Sequence, residues 1–232
     1  LENLIISSFS TTNVVVMSNM FTNCTKLTSL DLNKFDTKNT RTMLRLFENC
    51  YNLKYLNVKN FDTSQVLDMS YMFRNCSSLT SLDVSNFVTS QASTMLRMFE
   101  NCKSLNNLEF TKIDTESART MSYMFSGCES LESLDLSTFS TKTVTDMSYM
   151  FNECTNLKEI NLDSFDTDSV TNMKFMFAYC PSLQYLDLYS FNTQKCKNFE
   201  SMFEGFNNLT LKVDQEKCKN MLDELPNGIE YE

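Results

Sequence analysis

Histidine and tryptophan are absent from this 232-residue chain, glycine occurs three times and proline twice. Without histidine there is no Ser-His-Asp or Cys-His arrangement, no imidazole metal ligand and no member of the commonest class of general base. With so little glycine and proline, turns have to be made by Asx and hydroxyl residues, whose side-chain oxygens accept from nearby backbone amides. No apolar run approaches the ~20 residues that a membrane-spanning helix needs. Nor does this sequence carry a charged start, apolar stretch and small-residue cleavage site of the kind that marks a signal peptide. Basic residues are also in the minority, 20 against 29 acidic, for a net charge of −9. A pI near 4.7 is the opposite of a nucleic-acid footprint, so nucleic acid is excluded and a cationic protein surface is the better match.

What the chain has in quantity is repetition, with a period of 26 residues. Cysteines recur at Cys24, Cys50, Cys76, Cys102, Cys128, Cys154 and Cys180, and the next step lands on Phe206. Phenylalanines keep a second register from Phe21 to Phe203, leucines a third from Leu27 to Leu209, and threonines a fourth from Thr11 to Thr193. A fixed period of this size predicts a solenoid whose units bury their apolar faces only by stacking on one another. The expected organisation is one elongated solenoid over residues 1–208 and a C-terminal capping unit over 209–232. Leu1, Leu4 and Ile6 fall one period before Leu27, Leu30 and Leu32, so the sequence is expected to start inside a repeat.

Within a unit the pattern changes twice. Leu27 to Leu32, LTSLDL, alternates as a short strand does, with Leu30 and Leu32 inward and Ser29 and Asp31 outward. A Phe-Asp-Thr turn follows. In MSYMFRNC, residues Met69, Met72, Phe73 and Cys76 stand at i, i+3, i+4 and i+7, which predicts one face of a two-turn helix. Asp68, Asp146, Asn172 and Asn198, with Thr42, Thr94 and Thr120, are placed to cap such helices at the N-terminus. Asn23, Asn49, Asn75, Asn101, Gly127 and Gly205 are placed to end them in a left-handed residue, a register that Glu153 and Tyr179 break. The fold class expected is therefore α/β: a leucine-rich repeat solenoid of about nine coils, with a concave parallel β-sheet and short convex helices. After Leu209 a last helical pattern through Met221, Leu222 and Leu225 stops at Pro226, Asn227 and Gly228.

The LxxLxL segment, the Phe-Asp-Thr turn, Val-Thr-x-Met-Ser and Met-Phe-x-x-Cys together resemble the BspA-like leucine-rich repeat surface proteins. These include a mycoplasma- and lactobacillus-type domain of unknown function. The likeness covers roughly residues 1 to 210. It implies a right-handed solenoid displayed on the cell surface or outside the cell, working in adhesion, and no catalytic residues. Departures are local: Val88 and Ser140 replace the turn Asp, Ile113 the Phe, and Cys196 the Val seen at Val66, Val144 and Val170.

The ladder cysteines lack CxxC spacing, so they are expected to be buried thiols rather than a zinc site. Successive bridges between them would need converging Cβ atoms that a stack does not provide. Cys196 and Cys218 lie off the ladder and are better candidates than the ladder for a bridge or a reactive thiol, but core packing is the first expectation for them too. The Thr ladder has no base beside it and is expected to bond backbone in the turn. No catalytic residue, cofactor or metal is expected. On the outward strand face, Tyr55, Glu109, Glu159, Asp163, Tyr185, Asp187 and Tyr189 depart from an otherwise bland row of Ser, Thr and Asn. They predict a ligand-binding surface for a protein partner, such as a host or extracellular matrix protein with a basic surface. The alternative is a passive spacer or stalk.

Overall fold

A computed structural model describes residues 4, 6, 9–108, 110, 111 and 113–232. Its repeating element is a short parallel strand once per period: β1 (Ser29–Asp31), β2 (Tyr55–Asn57), β3 (Ser81–Leu82), β4 (Asn107–Leu108), β5 (Ser133–Asp135), β6 (Glu159–Asn161) and β7 (Tyr185–Asp187). Register is fixed residue for residue, Ser29 opposite Tyr55, Leu30 opposite Leu56 and Asp31 opposite Asn57. The central residue points in and its neighbours point out, as the alternation requires. Among the described residues the strands pair in twos, β1 with β2, β3 with β4 and β5 with β6, while β7 begins a three-stranded sheet with β8 (Leu209–Lys212) and β9 (Ile229–Tyr231). The architecture is thus a parallel β-solenoid of about seven turns, not the nine coils expected. Leu1, part of the opening half-repeat, lies outside the described residues.

The core is a set of columns rather than a cluster. Phe21, Phe47, Phe73, Phe99, Phe125, Phe151, Phe177 and Phe203 form one continuous stack, each ring nearly parallel to the next with centroids 5.4 to 6.0 Å apart. The stacking offset suits the ring quadrupole while every face is removed from water. Beside it, Leu79, Met69, Met72 and Cys76 are fully buried, as are their equivalents in the neighbouring coils.

The expected convex helices are not formed. Among the described residues the one α-helix is α1 (Lys219–Leu222), in the C-terminal segment. The stretch from Met69 to Cys76 is instead a ribbon of overlapping turns. Met72, Arg74 and Cys76 donate within the coil to the carbonyls of Met69, Tyr71 and Phe73 at 3.2, 3.1 and 3.0 Å. The alternate amides, of Tyr71, Phe73 and Asn75, donate across to Leu96, Met98 and Glu100 of the next coil at 2.8, 2.9 and 2.8 Å. The reason is spacing. Side chains on the outer surface of this ribbon stack at 4.3 Å (Tyr123 on Tyr149) and 4.9 Å (Tyr149 on Phe175), close to the ~4.8 Å between paired strands. A helix is ~10–12 Å across with its side chains, so helices cannot follow one another at that step unless the coils fan apart. The turn ribbon buries the same four residues and sends half of its amides along the stack.

This conformation requires a left-handed backbone at two positions per coil. Asn19, Arg45, Tyr71, Arg97, Tyr123, Tyr149, Phe175 and Ser201 have φ between 52 and 62°. Asn23, Asn49, Asn75 and Asn101 have φ of 58 to 63°, and Gly127 and Gly205 hold the same register at 71 and 85°. Glu153 and Tyr179, which break the Asn/Gly rule in sequence, adopt it as well, at 60 and 58°. The four asparagines bond in series, Asn49 Nδ2 to Asn23 Oδ1 at 2.8 Å, Asn75 to Asn49 at 2.6 Å and Asn101 to Asn75 at 3.0 Å. Gly127 ends the series: a Cβ there would clash with Asn101 Oδ1.

Side-chain oxygens close the corners of each coil. The residues expected to cap helices accept from the amide two positions on, as Asp68 does from Ser70 at 2.8 Å and Asp146 from Ser148 at 2.9 Å. The Thr ladder works between coils instead of within the turn. Thr63 Oγ1 donates to the Val88 carbonyl at 2.9 Å and accepts the Val88 amide at 2.8 Å. Thr11, Thr89, Thr141 and Thr167 each make the same pair of bonds with the following coil.

All nine cysteines are free, eight of them buried and Cys24 half-buried. Each thiol from Cys50 to Cys180 donates to the carbonyl of a core phenylalanine in the preceding coil, Cys76 to Phe47 at 3.3 Å for example. Cys196 and Cys218, off the ladder, are free and buried too, as core packing expects, and form no bridge. They donate to the carbonyls of Asn198 and Phe191.

Candidate functional site

The strand face owes its layout to a repeating Asx turn. Asp31, Asn57, Asp83, Asp135, Asn161 and Asp187 occupy its centre line, and each side-chain oxygen accepts the amide two residues on, at 3.0 to 3.2 Å. At these six positions the centre line is therefore structural. Bonds from Ser85 hold the Asp83 carboxyl below its usual range, and the Ser137 amide, then its hydroxyl, does the same for Asp135.

Onto this row the chain places its few large side chains. Tyr55, Tyr185 and Tyr189 are about half exposed, at 54, 47 and 56%. Tyr185 and Asp187 of β7 share a hollow of about 780 Å³ with Lys158, Glu159 and Ile160 of the β6 region and with Ser182 and Gln184. The hollow lies where β6 and β7 are not hydrogen-bonded to each other. Ile160 is only half-buried there, whereas its equivalents Leu134 and Leu186 are 4 and 1% exposed. Asp187 does not stand free: Lys212 Nζ lies 2.7 Å from its carboxylate and 5.6 Å from the Tyr189 ring centroid. Partial burial works to raise the Asp187 pKa, but Lys212 and the Tyr189 amide outweigh it and hold the carboxyl below its usual value. Asp163 is exposed and lies within electrostatic reach of Lys212.

The structure thus brings Glu159, Asp163, Tyr185, Asp187 and Tyr189 to one end of the strand face. Tyr55, on β2, stands five periods away, roughly 24 Å along a stack with strands ~4.8 Å apart, and takes no part in that cluster. Glu109 lies outside the described residues. Lys212 is the member that the sequence reading missed. It follows the last repeat, where the period fails, but the pairing of β7 with β8 sets it opposite Asp187.

A second surface went unread in the sequence although its register was legible. On the turn ribbon, the left-handed positions from Arg45 to Phe175 form a ladder of cations and rings. Arg45 and Arg97 lie 4.9 and 3.7 Å from the Tyr71 and Tyr123 ring centroids, and Tyr123, Tyr149 and Phe175 stack in turn. Arg74 bridges Glu48 and Glu100, and Arg45 and Arg97 pair with the same two carboxylates. This ladder satisfies itself: ring faces are covered by neighbouring rings, and the nearly buried carboxylates are paired. Its chemistry is coil-to-coil cohesion.

Among the described residues no three His, Cys, Asp or Glu side chains gather as a metal site. Among the same residues no helix is long and apolar enough to cross a membrane.

A family model described as "Mycoplasma protein of unknown function, DUF285" matches residues 2–56, 17–135 and 119–225. No curated protein matches the chain. Similar solved structures include a leucine-rich repeat protein from Bacteroides ovatus, at 20% identity and a TM-score of 0.45 over 84% of this chain and 57% of that one. A leucine-rich repeat protein of T. pallidum follows at 16% identity and a TM-score of 0.35, covering 93% of this chain and 78% of that one. A leucine-rich cell surface protein from Faecalibacterium prausnitzii has 15% identity and a TM-score of 0.36, covering 92% and 75%. The chain spans little more than half the length of the Bacteroides protein.

Proposed function

This chain belongs to the family described as "Mycoplasma protein of unknown function, DUF285", and from that premise we propose that it is a protein-binding repeat domain of a BspA-like cell-surface protein. It works without catalysis or cofactor, in adhesion, through the strand face. The observation that carries this reading is the pair of half-exposed tyrosines, Tyr185 and Tyr189, beside the hollow between β6 and β7. Tyrosine provides large amphipathic contact area at low entropy cost, and such side chains dominate the binding energy of protein interfaces. The rest of the strand face is mostly small and polar, which confines the hot spot to this end.

Glu159 and Asp163 add negative charge beside the rings, and the molecule as a whole carries −9. The partner is accordingly a host or extracellular matrix protein with a basic surface, steered in by a field that salt weakens. The test is surface plasmon resonance of the wild type and the double variant Tyr185→Ser/Tyr189→Ser against a panel of matrix proteins over a salt series. The expected result is retention of at least one partner, an affinity that falls with salt, and its loss in the variant. Equal binding by the variant would contradict the reading.

A stalk or spacer is the second reading, favoured by the unbroken phenylalanine column and the threonine bonds between successive coils. These make a stiff rod whether or not anything docks on it. A panel from which the wild type retains nothing would favour the spacer.

A further inference from the structure

The period ends in a second concavity, on the turn-ribbon side of the last coil. There α1 and the residues after it close over Phe199, Met202 and Phe203. A hollow of about 260 Å³ remains, lined by those three, Ser201, Met221, Leu225 and Pro226, with Glu204 and Glu224 completing it. The floor is apolar and dry in character: Phe199, Met202, Phe203 and Met221 are all buried. Both glutamates are exposed. They come from different elements, Glu204 from the last ribbon and Glu224 from the segment after α1. Neither enters an ion pair among the described residues, and no lysine or arginine lines the hollow.

We propose that this hollow seats an arginine side chain of a partner protein. Its volume falls just below the ~300–1,000 Å³ of pockets for drug-sized ligands, so it suits one long side chain better than a cofactor. The lining has the order an arginine needs: an apolar floor for the methylenes and, at its rim, two exposed carboxylates that enter no ion pair among the described residues and can accept from the guanidinium. A lysine would satisfy charge but not the planar fork. Tyr179 donates its hydroxyl to Glu204 Oε1 at 2.8 Å. Hydrogen bonds from the Ser201 side chain and then from Tyr179 lower the Glu204 pKa, so that carboxylate stays charged through the neutral range. The site is separate from the tyrosine cluster on the strand face and does not depend on it. A partner engaging both would wrap the C-terminal end of the solenoid.

The test uses the whole chain labelled with ¹³C-methyl methionine, since Met202 and Met221 report from the floor of the hollow. Three probes are titrated: the blocked peptide acetyl-Gly-Ser-Arg-Ser-Gly-amide, the same peptide with neutral citrulline for arginine, and agmatine as a free alkylguanidinium. The expected result is a saturable shift of the Met202 and Met221 signals with the arginine peptide and little response to citrulline. Tyr185→Ser/Tyr189→Ser should retain the response. Glu204→Gln/Glu224→Gln should weaken it roughly tenfold, as the loss of charge-assisted bonds implies. An equal response to citrulline, or none to millimolar arginine peptide, would overturn the proposal. So would agmatine binding more tightly than the peptide, which would make the hollow a small-molecule site. The citrulline comparison is made on the wild type, so it stands even if the glutamine variant folds poorly.

Discussion

A threonine hydroxyl that both donates and accepts across a coil boundary leaves two backbone groups stranded if it is removed. Thr63→Val keeps the shape but strips partners from the Val88 amide and carbonyl. Each group left buried and unsatisfied costs about 1–3 kcal/mol. Chemical denaturation should show that loss, and a change within ~0.5 kcal/mol, as at an ordinary surface site, would mean that the ladder contributes nothing. The thiols give a second residue-scale expectation. Burial pushes Cys50 up to about 12, and pushes Cys76, Cys102 and Cys128 upward as well. In the unfolded chain the same groups ionise near ~8.5. Below that value both states hold their protons and stability is unaffected. Above it the unfolded state releases protons that the folded state keeps, so stability falls as pH rises toward the folded values, by up to ~1.4 kcal/mol per pH unit for each thiol. Denaturation between pH 8 and pH 11 should show this decline steepening with pH, and native alkylation at neutral pH should label Cys24 before the other eight. A flat alkaline profile, or rapid labelling of the ladder, would contradict the buried-thiol assignment.

At the scale of the element, the turn ribbon shows what residue spacing can and cannot reveal. Met69, Met72, Phe73 and Cys76 are buried together as a helix pattern demands, yet the backbone beneath them is not helical. Spacing at i, i+3, i+4 and i+7 specifies which side chains face inward, and a ribbon of turns meets the specification equally well. What decides between them is the distance between coils, a property of stacking that no single repeat encodes. The asparagine register was the more telling signal, because it marks left-handed residues whether they end a helix or punctuate a ribbon. Arg45 separates the two backbones experimentally. Glycine in a helix interior is about 1 kcal/mol worse than alanine, whereas at a left-handed position alanine is worse by roughly 1–2 kcal/mol. Both Arg45→Gly and Arg45→Ala lose the same guanidinium, so their difference isolates the backbone. The ribbon, with Arg45 at φ 56°, expects the glycine variant to be the more stable in thermal melts. The reverse order would restore the helix.

For the molecule as a whole, the repeat fixed in sequence the strand register, the inward leucines and the periodic core. The C-terminal end was harder to read. Asp187 looked like a free carboxylate for steering a partner, because its neutralising Lys212 lies beyond the last periodic unit and meets it only through β7–β8 pairing. Likewise Ile160 is half-buried beside the break between β6 and β7, whereas the leucines beside the equivalent breaks, Leu56, Leu82, Leu108 and Leu134, stay buried, and the nearly uniform sequence offers no cue to that difference. Those two departures from regularity coincide with Tyr185 and Tyr189, and there the binding reading rests. Hydrogen exchange of the chain, alone and with the matrix protein that it retains most tightly, tests this most directly. Added protection is expected only in peptides covering residues 157–163 and 182–190, with residues 43–50, 69–76 and 95–102 of the turn ribbon unchanged. Protection of the ribbon in place of the strand face, or none anywhere along the chain, would contradict it.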